Sequence, residues 1–250
     1  MVQKKKIVAF LDSYLSIQTI PDSSANGLQV DGKNEIEKIG LAVDACLEIF
    51  NKAKDEGCDM IIVHHGLFWD KIGPITGALY DRIKFLMDNE ISLYGAHAPI
   101  DKHVKIGNNT ELLKMVGLRP KHEFGYDHDV FWGYMDYYEE PKLLDTIISQ
   151  LPKAWKEPLI LKFGKDEITS VAVVSGGAAF AIPEAVEKGI DLLIIGEMKH
   201  GFYHNVKEGK LNLIVAGHYN TETLGVKALS QIIEQELAIP TIFLDAPTRL

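Results

Sequence analysis

Residues 38–66 read KIGLAVDACLEIFNKAKDEGCDMIIVHHG and define the unit on which this fold is built. A short apolar stretch precedes a helical pattern that stops at Gly57, because glycine readily adopts the left-handed conformation that ends a helix. The apolar run from Met60 to Val63 follows and is typical of a parallel strand buried on both faces. The stretch therefore predicts a strand–helix–strand unit that ends at His64-His65.

The second half of the chain repeats this order in residues 171–197, VAVVSGGAAFAIPEAVEKGIDLLIIGE. One constant offset aligns Gly57 with Gly189 and Asp59 with Asp191, and it places His64-His65 opposite Gly196-Glu197. Since both units have the same order of strand, helix and strand, with a glycine and an aspartate at the same places, we infer an internal duplication.

The correspondence extends one strand further. Residues 93–96 lead into His97, with Asp101 four positions later, and residues 213–217 lead into His218, with Glu222 four positions later. The offset differs here, so the intervening segments differ in length. Where such residues begin a helix, positions four apart share a face, and an imidazole and a carboxylate can then share a metal ion.

Alternating strands and helices predict an α/β fold with two related domains, each a mostly parallel sheet flanked by helices. We place the domains at 1–122 and 123–250, with the C-terminal helix or strand packing back on the first. The aromatic-rich segment 123–165 is expected to open the second domain with strands and a helix over about 142–151. Sheet packing is the favoured explanation of its aromatic residues, and a base-stacking platform is the alternative.

Composition limits the function classes. The chain has 250 residues and a formal net charge of −9, which argues against a broadly cationic nucleic-acid binder. Two cysteines make a poor disulfide framework and suit a reducing cytosol. We find no signal peptide and no membrane-spanning run, so we expect a cytoplasmic protein.

The histidines and carboxylates lie at carboxyl ends of predicted strands, where ligands collect in open α/β sheets. Their nitrogen and oxygen atoms, without thiolates, suit Zn, Mn, Fe, Ni or Co better than Mg. A strand directs His64 and His65 to opposite faces, so both reach one cavity only where the chain bends, and Gly66 permits that bend. Coordination positions that the protein leaves open favour hydrolysis, because divalent ions lower the pKa of water.

Other positions are weighed beside these. His97 is either a ligand or a residue that orients a ligand, and Glu197 and His200 are candidates to approach the cleft. We predict catalytic roles for Glu222, His97 and Glu197. The turn at Gly176-Gly177 is interpreted as a tight turn, with anion binding by its backbone N–H groups as the alternative.

Several motifs now point to a family. They are Asn26-Gly27-Leu28-Gln29-Val30, Val63-His64-His65-Gly66, Ala96-His97-Ala98-Pro99-Ile100-Asp101, Gly107-Asn108-Asn109, Ser175-Gly176-Gly177-Ala178, residues 217–223 (GHYNTET) and residues 243–248 (FLDAPT). In this order they resemble the NIF-three-like dinuclear-metal proteins, also called type 2 homologues of GTP cyclohydrolase I, over nearly the whole chain.

The resemblance implies a dinuclear centre between two α/β domains. It implies that His65 and Asp101 hold one ion, that His64 and His218 hold the other, and that Glu222 bridges them. It also implies a homohexameric ring. This chain departs from the common pattern in two places: Ser24-Ala25 stands where many members carry Trp-Asp, and Gly66 stands where many carry Pro.

Three functions follow as hypotheses. The first is a metal-dependent hydrolase acting on a nucleotide-like or phosphorylated small molecule. The second is a ring-shaped nucleic-acid-binding or partner-binding protein with a structural metal centre, which the net charge disfavours. The third is a protein that stores or delivers metal.

Overall fold

The computed structural model describes residues 1–155 and 157–248, which divide into two compact units. Unit 1 comprises residues 1–100 and 225–246, and unit 2 comprises residues 101–224 with residues 247 and 248. Residues 101–122, placed in the first domain from the sequence, are thus grouped with the second unit. Among the helices of the described residues, none is long and apolar enough to cross a membrane.

The strands are β1 (Val2–Gln3), β2 (Gly27–Val30), β3 (Glu35–Ile36), β4 (Ile39–Asp44), β5 (Met60–His65), β6 (Ser92–Gly95), β7 (His122–Asp127), β8 (Val130–Leu143), β9 (Leu159–Lys162), β10 (Glu167–Val174), β11 (Leu192–Ile195), β12 (Asn212–Val215) and β13 (Thr241–Phe243). The α-helices are α1 (Lys4–Tyr14), α2 (Leu47–Asp55), α3 (Gly77–Asp88), α4 (Ala98–Asp101), α5 (Asn108–Met115), α6 (Leu144–Ile148), α7 (Ile182–Glu187), α8 (Tyr203–Glu208) and α9 (His218–Leu237). Two short 3-10 turns cover Ala179–Ala181 and His200–Phe202.

Unit 1 is built on a five-stranded sheet with the order β13-β4-β5-β6-β2. The first four strands are parallel, and β2 adds antiparallel to β6. One face of this sheet, with Ile61 and Val63, packs against Ile49 and Phe50 of α2. The predicted buried strand is confirmed, since Met60 to Val63 have no exposed surface.

Unit 2 has a six-stranded sheet with the order β7-β8-β10-β11-β12-β9. Its centre, β10-β11-β12, is parallel, and the outer strands add antiparallel. Alternate residues of β10 face different cores: Val171 and Val173 pack in one cluster with helices α5 and α6, while Ala172 and Val174 pack in another with α7 and α8. Helices therefore cover both faces, as the predicted fold class requires.

The aromatic-rich segment forms the β7–β8 hairpin, as predicted. Its helix is shorter than the predicted 142–151. Lys142 and Leu143 extend β8, where they pair with Ile168 and Glu167 of β10, and the helix covers only Leu144–Ile148.

The two units confirm the internal duplication in detail. Ile39 pairs with Met60 across β4 and β5, and the equivalent Val171 pairs with Leu192 across β10 and β11. The helix ends also match: Cys58 N donates to Ala53 O (2.8 Å) and Ile190 N to Ala185 O (2.9 Å), around Gly57 and Gly189 with φ of +69° and +64°. Both ends have the hydrogen bonds of a Schellman motif.

The predicted equivalence of the two His-x-x-x-acid pairs is wrong by one residue. Ala96 N donates to Val63 O, and at the equivalent place Ala216 N donates to Ile195 O. His97 therefore corresponds to Gly217, and His218 comes one position later. The two helices begin at equivalent positions, α4 at Ala98 and α9 at His218, so His97 precedes its helix whereas His218 is the first residue of its own.

Candidate metal-binding site

Unit 1 collects three imidazoles at the carboxyl ends of the neighbouring strands β5 and β6. His64, His65 and His97 each offer a nitrogen, and these atoms lie within 4.8 Å of one another, close enough to hold a metal ion. The ring centroids of His64 and His65 are 4.6 Å apart, and His97 lies 4.9 Å and 5.7 Å from them. The chain thus brings two consecutive residues at the end of a strand to one place, as expected of ligands that share a cavity.

Each of these imidazoles is oriented through Nδ1. His64 Nδ1 lies 3.2 Å from Ala96 O, and His65 Nδ1 lies 2.8 Å from Oδ1 of Asp44. A carbonyl and a carboxylate only accept hydrogen bonds, so Nδ1 carries the proton and Nε2 presents its lone pair. This is the tautomer that binds a metal through Nε2.

His97 is oriented by Asp22, whose Oδ1 lies 3.0 Å from Nδ1. Burial disfavours the charged form of Asp22, but hydrogen bonds from His97, Asn26 and the Ser24 amide, together with the charge of His97, lower its pKa to about 2. The carboxylate also accepts from Ala98 N at 2.9 Å. Asp22 is therefore ionised at neutral pH and fixes the ring of His97.

Unit 2 places two carboxylates and one imidazole near the start of α9. Asp101 and Glu222 are 5% and 3% exposed, and each has a carboxylate oxygen within 4.8 Å of the other. His218 Nε2 lies 3.0 Å from Oε2 of Glu222, as expected for positions four apart on a helix. Two buried carboxylates at this spacing repel each other, and a cation between them would remove that cost.

Glu197 orients His218 from the opposite side, with Oε1 2.6 Å from Nδ1. Burial lowers the pKa of His218, but the hydrogen bonds and charges of Glu222 and Glu197 outweigh it and raise the pKa to about 9. The predicted catalytic residue Glu197 thus lies behind the imidazole, where it positions His218. His200 begins a 3-10 turn and is exposed.

Asp101 is held by neighbours that sequence reasoning did not assign to a role. Its Oδ1 accepts hydrogen bonds from Asn108 Nδ2 (2.8 Å) and Ser175 Oγ (2.9 Å). Asn109 donates to the Asp101 carbonyl (3.1 Å) and accepts from Ser175 N (2.7 Å). The Gly-Asn-Asn and Ser-Gly-Gly motifs therefore fix one carboxylate.

The turn at Gly176 makes room for the second carboxylate, that of Glu222. Gly176 has φ of +65°, and a Cβ atom there would overlap Oε1 of Glu222. Its N–H donates to Oγ1 of Thr221 at 3.1 Å, so this amide is already engaged. The tight-turn interpretation fits these contacts.

The two departures from the common pattern also have local consequences in unit 1. Ser24 lies opposite Trp69 in an isolated antiparallel bridge. A Cβ at Gly66 would overlap the Gln29 amide, which accepts from Leu67 N (2.7 Å) and donates to Ala25 O (2.7 Å). Gly66 therefore makes room for the side chain that fixes the loop after His65.

These features define a duplicated α/β protein with histidine and carboxylate groups able to hold a metal ion. The sequence model of the family Duf34/NIF3 (NGG1p interacting factor 3) matches residues 2–249, and the chain belongs to that family. The resemblance seen in the motifs is thereby confirmed.

Relatives agree over the full length. The chain is 46% identical over 251 residues to a protein of Pyrococcus abyssi named "GTP cyclohydrolase 1 type 2 homolog", covering 100% of both chains. A protein of Archaeoglobus fulgidus with the same name is 42% identical over 245 residues, covering 98% of both. Among solved structures, a Thermus thermophilus protein is similar with a TM-score of 0.88 and 40% identity over 100% of both chains. The structure of reduced HcgD from Methanocaldococcus jannaschii is similar with a TM-score of 0.85 and 30% sequence identity, covering 98% of both chains.

Proposed function

We propose that this chain is a metal-dependent hydrolase that acts on a nucleotide-like or phosphorylated small molecule at a dinuclear centre. One observation carries the proposal. Four histidines, His64, His65, His97 and His218, each have Nδ1 against an oxygen acceptor, which leaves Nε2 of each as the atom that can bind a metal ion. Structural histidines have no need of such uniform orientation, whereas metal ligands require it.

The assignment of ligands follows the family resemblance. His65 and Asp101 would hold one ion, His64 and His218 the other, and Glu222 would bridge the two. Three nitrogens and two carboxylates leave coordination positions open on both ions, as a catalytic centre needs. The donor set fits Zn, Mn, Fe, Ni or Co.

The chemistry that divalent ions supply is Lewis-acid polarisation of the substrate and a lower pKa for water. The chain's own residues would do the rest. With metal bound, Asp44 and Glu197 would keep His65 and His218 in the ligating tautomer, and Asn108 with Ser175 would fix Asp101. His97, held by Asp22, presents Nε2 as the atom that exchanges a proton with the substrate or binds an ion as a further nitrogen ligand.

The substrate class is supported by the relatives. The Pyrococcus and Archaeoglobus proteins carry a name that refers to GTP, through homology. A nucleotide contains both an aromatic base and phosphates, and either the ring or a phosphoester is hydrolysed by metal-dependent enzymes.

A substrate screen tests the proposal. The purified protein would be stripped with a chelator, reloaded with one metal at a time and assayed against nucleotides and phosphoesters. We expect turnover that requires metal, is lost in His65→Ala and Glu222→Ala, and persists in His122→Ala, a change of an exposed histidine. Absence of metal-dependent turnover across the panel would contradict the proposal.

We also propose, from the family resemblance, that the chain assembles as a homohexameric ring. Sedimentation velocity of the metal-loaded protein would show a single species of six chains. A monomer at micromolar concentration would contradict this assembly.

A further inference from the structure

Trp69 lies beside the three imidazoles of unit 1. Its ring centroid is 4.9 Å from that of His97, in an edge-to-face arrangement at 72°, and 6.0 Å from that of His65. The side chain is only partly buried, although it belongs to the residue type that buries the most apolar surface. An indole that stays partly exposed next to candidate metal ligands is available to a ligand.

Trp69 is also fixed before any ligand arrives. Its Nε1 donates to Gly66 O at 3.1 Å, which fixes the edge of the ring. The backbone on either side is tied to the segment that contains Asp22, since Ala25 N donates to Phe68 O (2.9 Å) and Asp70 N to Ser23 O (2.6 Å). The same segment orients His97, so the indole and the imidazole are held by one framework.

The chain after Trp69 differs in solvent exposure from the chain before it. Residues 71–78 are all exposed, whereas the strand before Trp69 is buried. The ring thus stands between the histidines, of which His64 is buried and His65 and His97 are half-buried, and the exposed segment that follows. A rigid aromatic side chain in this position gives a binding surface at low entropic cost, because little freedom remains to be lost on binding.

We propose that Trp69 is the residue on which the substrate's planar heterocycle stacks, so that the adjoining hydrolysable group reaches the metal centre. The inference rests on the proposed function and deepens it, because it selects ligands that carry an aromatic base over phosphorylated compounds that lack one. Every nucleobase offers a π face, and stacking on tryptophan requires no base-specific hydrogen bonds. Trp69 is therefore a specificity-determining residue for the class of substrate.

The test uses tryptophan fluorescence of the full metal-loaded chain. The protein has three tryptophans, so the variant Trp132→Phe/Trp155→Phe leaves Trp69 as the single indole. Titration with GMP is expected to quench its emission saturably, and ribose 5-phosphate, which lacks the base, is expected to leave it unchanged. Absence of saturable quenching by millimolar GMP would overturn the inference.

Variants at position 69 separate stacking from packing. Because stacking on one aromatic side chain changes affinity by about 5- to 150-fold, Trp69→Leu should weaken GMP binding by this factor in calorimetry, while Trp69→Phe should retain most of the affinity. Equal affinity of the leucine variant and wild type would overturn the inference.

Metal content distinguishes this failure from failure of the proposed function. It should be the same in Trp69→Leu and wild type, because the indole supplies no ligand. Full metal content with unchanged GMP affinity in Trp69→Leu would refute stacking on Trp69 and leave the proposed function intact. A wild-type protein that holds no metal would instead refute the proposed function.

Discussion

Asp191 occupies in unit 2 the position that Asp59 occupies in unit 1, and both carboxylates fasten the same part of the repeat. Asp59 accepts from Glu37 N (2.8 Å) and from Lys33 Nζ (2.8 Å). Asp191 accepts from Thr169 N (2.9 Å), the equivalent of Glu37 N, and pairs with Lys165 Nζ (2.9 Å), the equivalent of Lys33. The duplication thus extends to individual side-chain hydrogen bonds.

Neutralising either aspartate should destabilise the protein. Because each carboxylate makes charge-assisted hydrogen bonds, we expect Asp59→Asn or Asp191→Asn to lower the free energy of unfolding by about 1.5–3 kcal/mol at pH 7. Urea denaturation measures this difference. Asp55→Asn, on the exposed side of α2, is the control and should change stability little.

The loss of unfolding free energy in Asp59→Asn and Asp191→Asn should depend on pH. Burial raises the pKa of each carboxyl, but hydrogen bonds from lysine and backbone N–H groups outweigh it and hold the pKa of Asp59 and Asp191 below the ordinary value. A lowered pKa stabilises the fold above the ordinary carboxyl value, and this stabilisation is lost as the pH falls through the lowered pKa. The variants should therefore approach wild type in acid. A deficit independent of pH would rule out the ionised carboxylates as its cause.

Gly176→Ala should disturb the metal-binding residues, whereas Gly177→Ala should not. At position 176 an alanine meets a left-handed φ of +65° and overlaps Oε1 of Glu222. At position 177 the nearest side-chain atom to a new Cβ is Cε1 of His218, at 3.9 Å. We expect a large loss of bound metal in the first variant and little in the second, by elemental analysis. Equal metal content in both would show that Gly176 does not control the placement of Glu222.

Removing the carboxylate behind His65 should weaken metal binding without removing a ligand. Asp44→Asn leaves His65 in place but replaces a charged group that only accepts with a neutral amide, which accepts more weakly and can also donate, so the tautomer of His65 is no longer fixed. Partners of this kind typically affect metal affinity by about 10- to 100-fold. Competition with a chromophoric chelator measures the change, and Asp55→Asn again serves as control. Wild-type affinity in Asp44→Asn would mean that His65 does not bind through Nε2.

The metal-free protein should lose stability as the pH rises from near neutral. Burial lowers the pKa of His218, but Glu222 and Glu197 raise it to about 9, above the ordinary value of about 6.5. The charged pairs therefore stabilise the fold fully below about 6.5 and lose this effect as the pH rises through about 9. Glu222→Gln should flatten the decline. NMR titration of His218 measures the pKa directly, and a value near 6.5 would contradict the paired arrangement.

Much of this architecture could be predicted from sequence because it is local. The repeat and its strand register could be predicted from two local signals. These are the apolar run before His64, with its counterpart Leu192–Ile195, and Gly57, with its counterpart Gly189. Asp22 could not be predicted, since nothing near it in the sequence indicates its contact with His97, 75 positions away. The one-residue error at His218 arose because the His-x-x-x-acid spacing is identical in both halves, and only the ladder hydrogen bonds show that His97 corresponds to Gly217.

Metal content per chain tests the central claim most directly. Wild type and Glu222→Ala would be purified identically, and their metal content would be measured by inductively coupled plasma mass spectrometry. We predict about two divalent ions per chain in wild type and a sharp fall in the variant, because a bridging carboxylate serves both ions. Substoichiometric metal that does not change in Glu222→Ala would contradict the proposed centre.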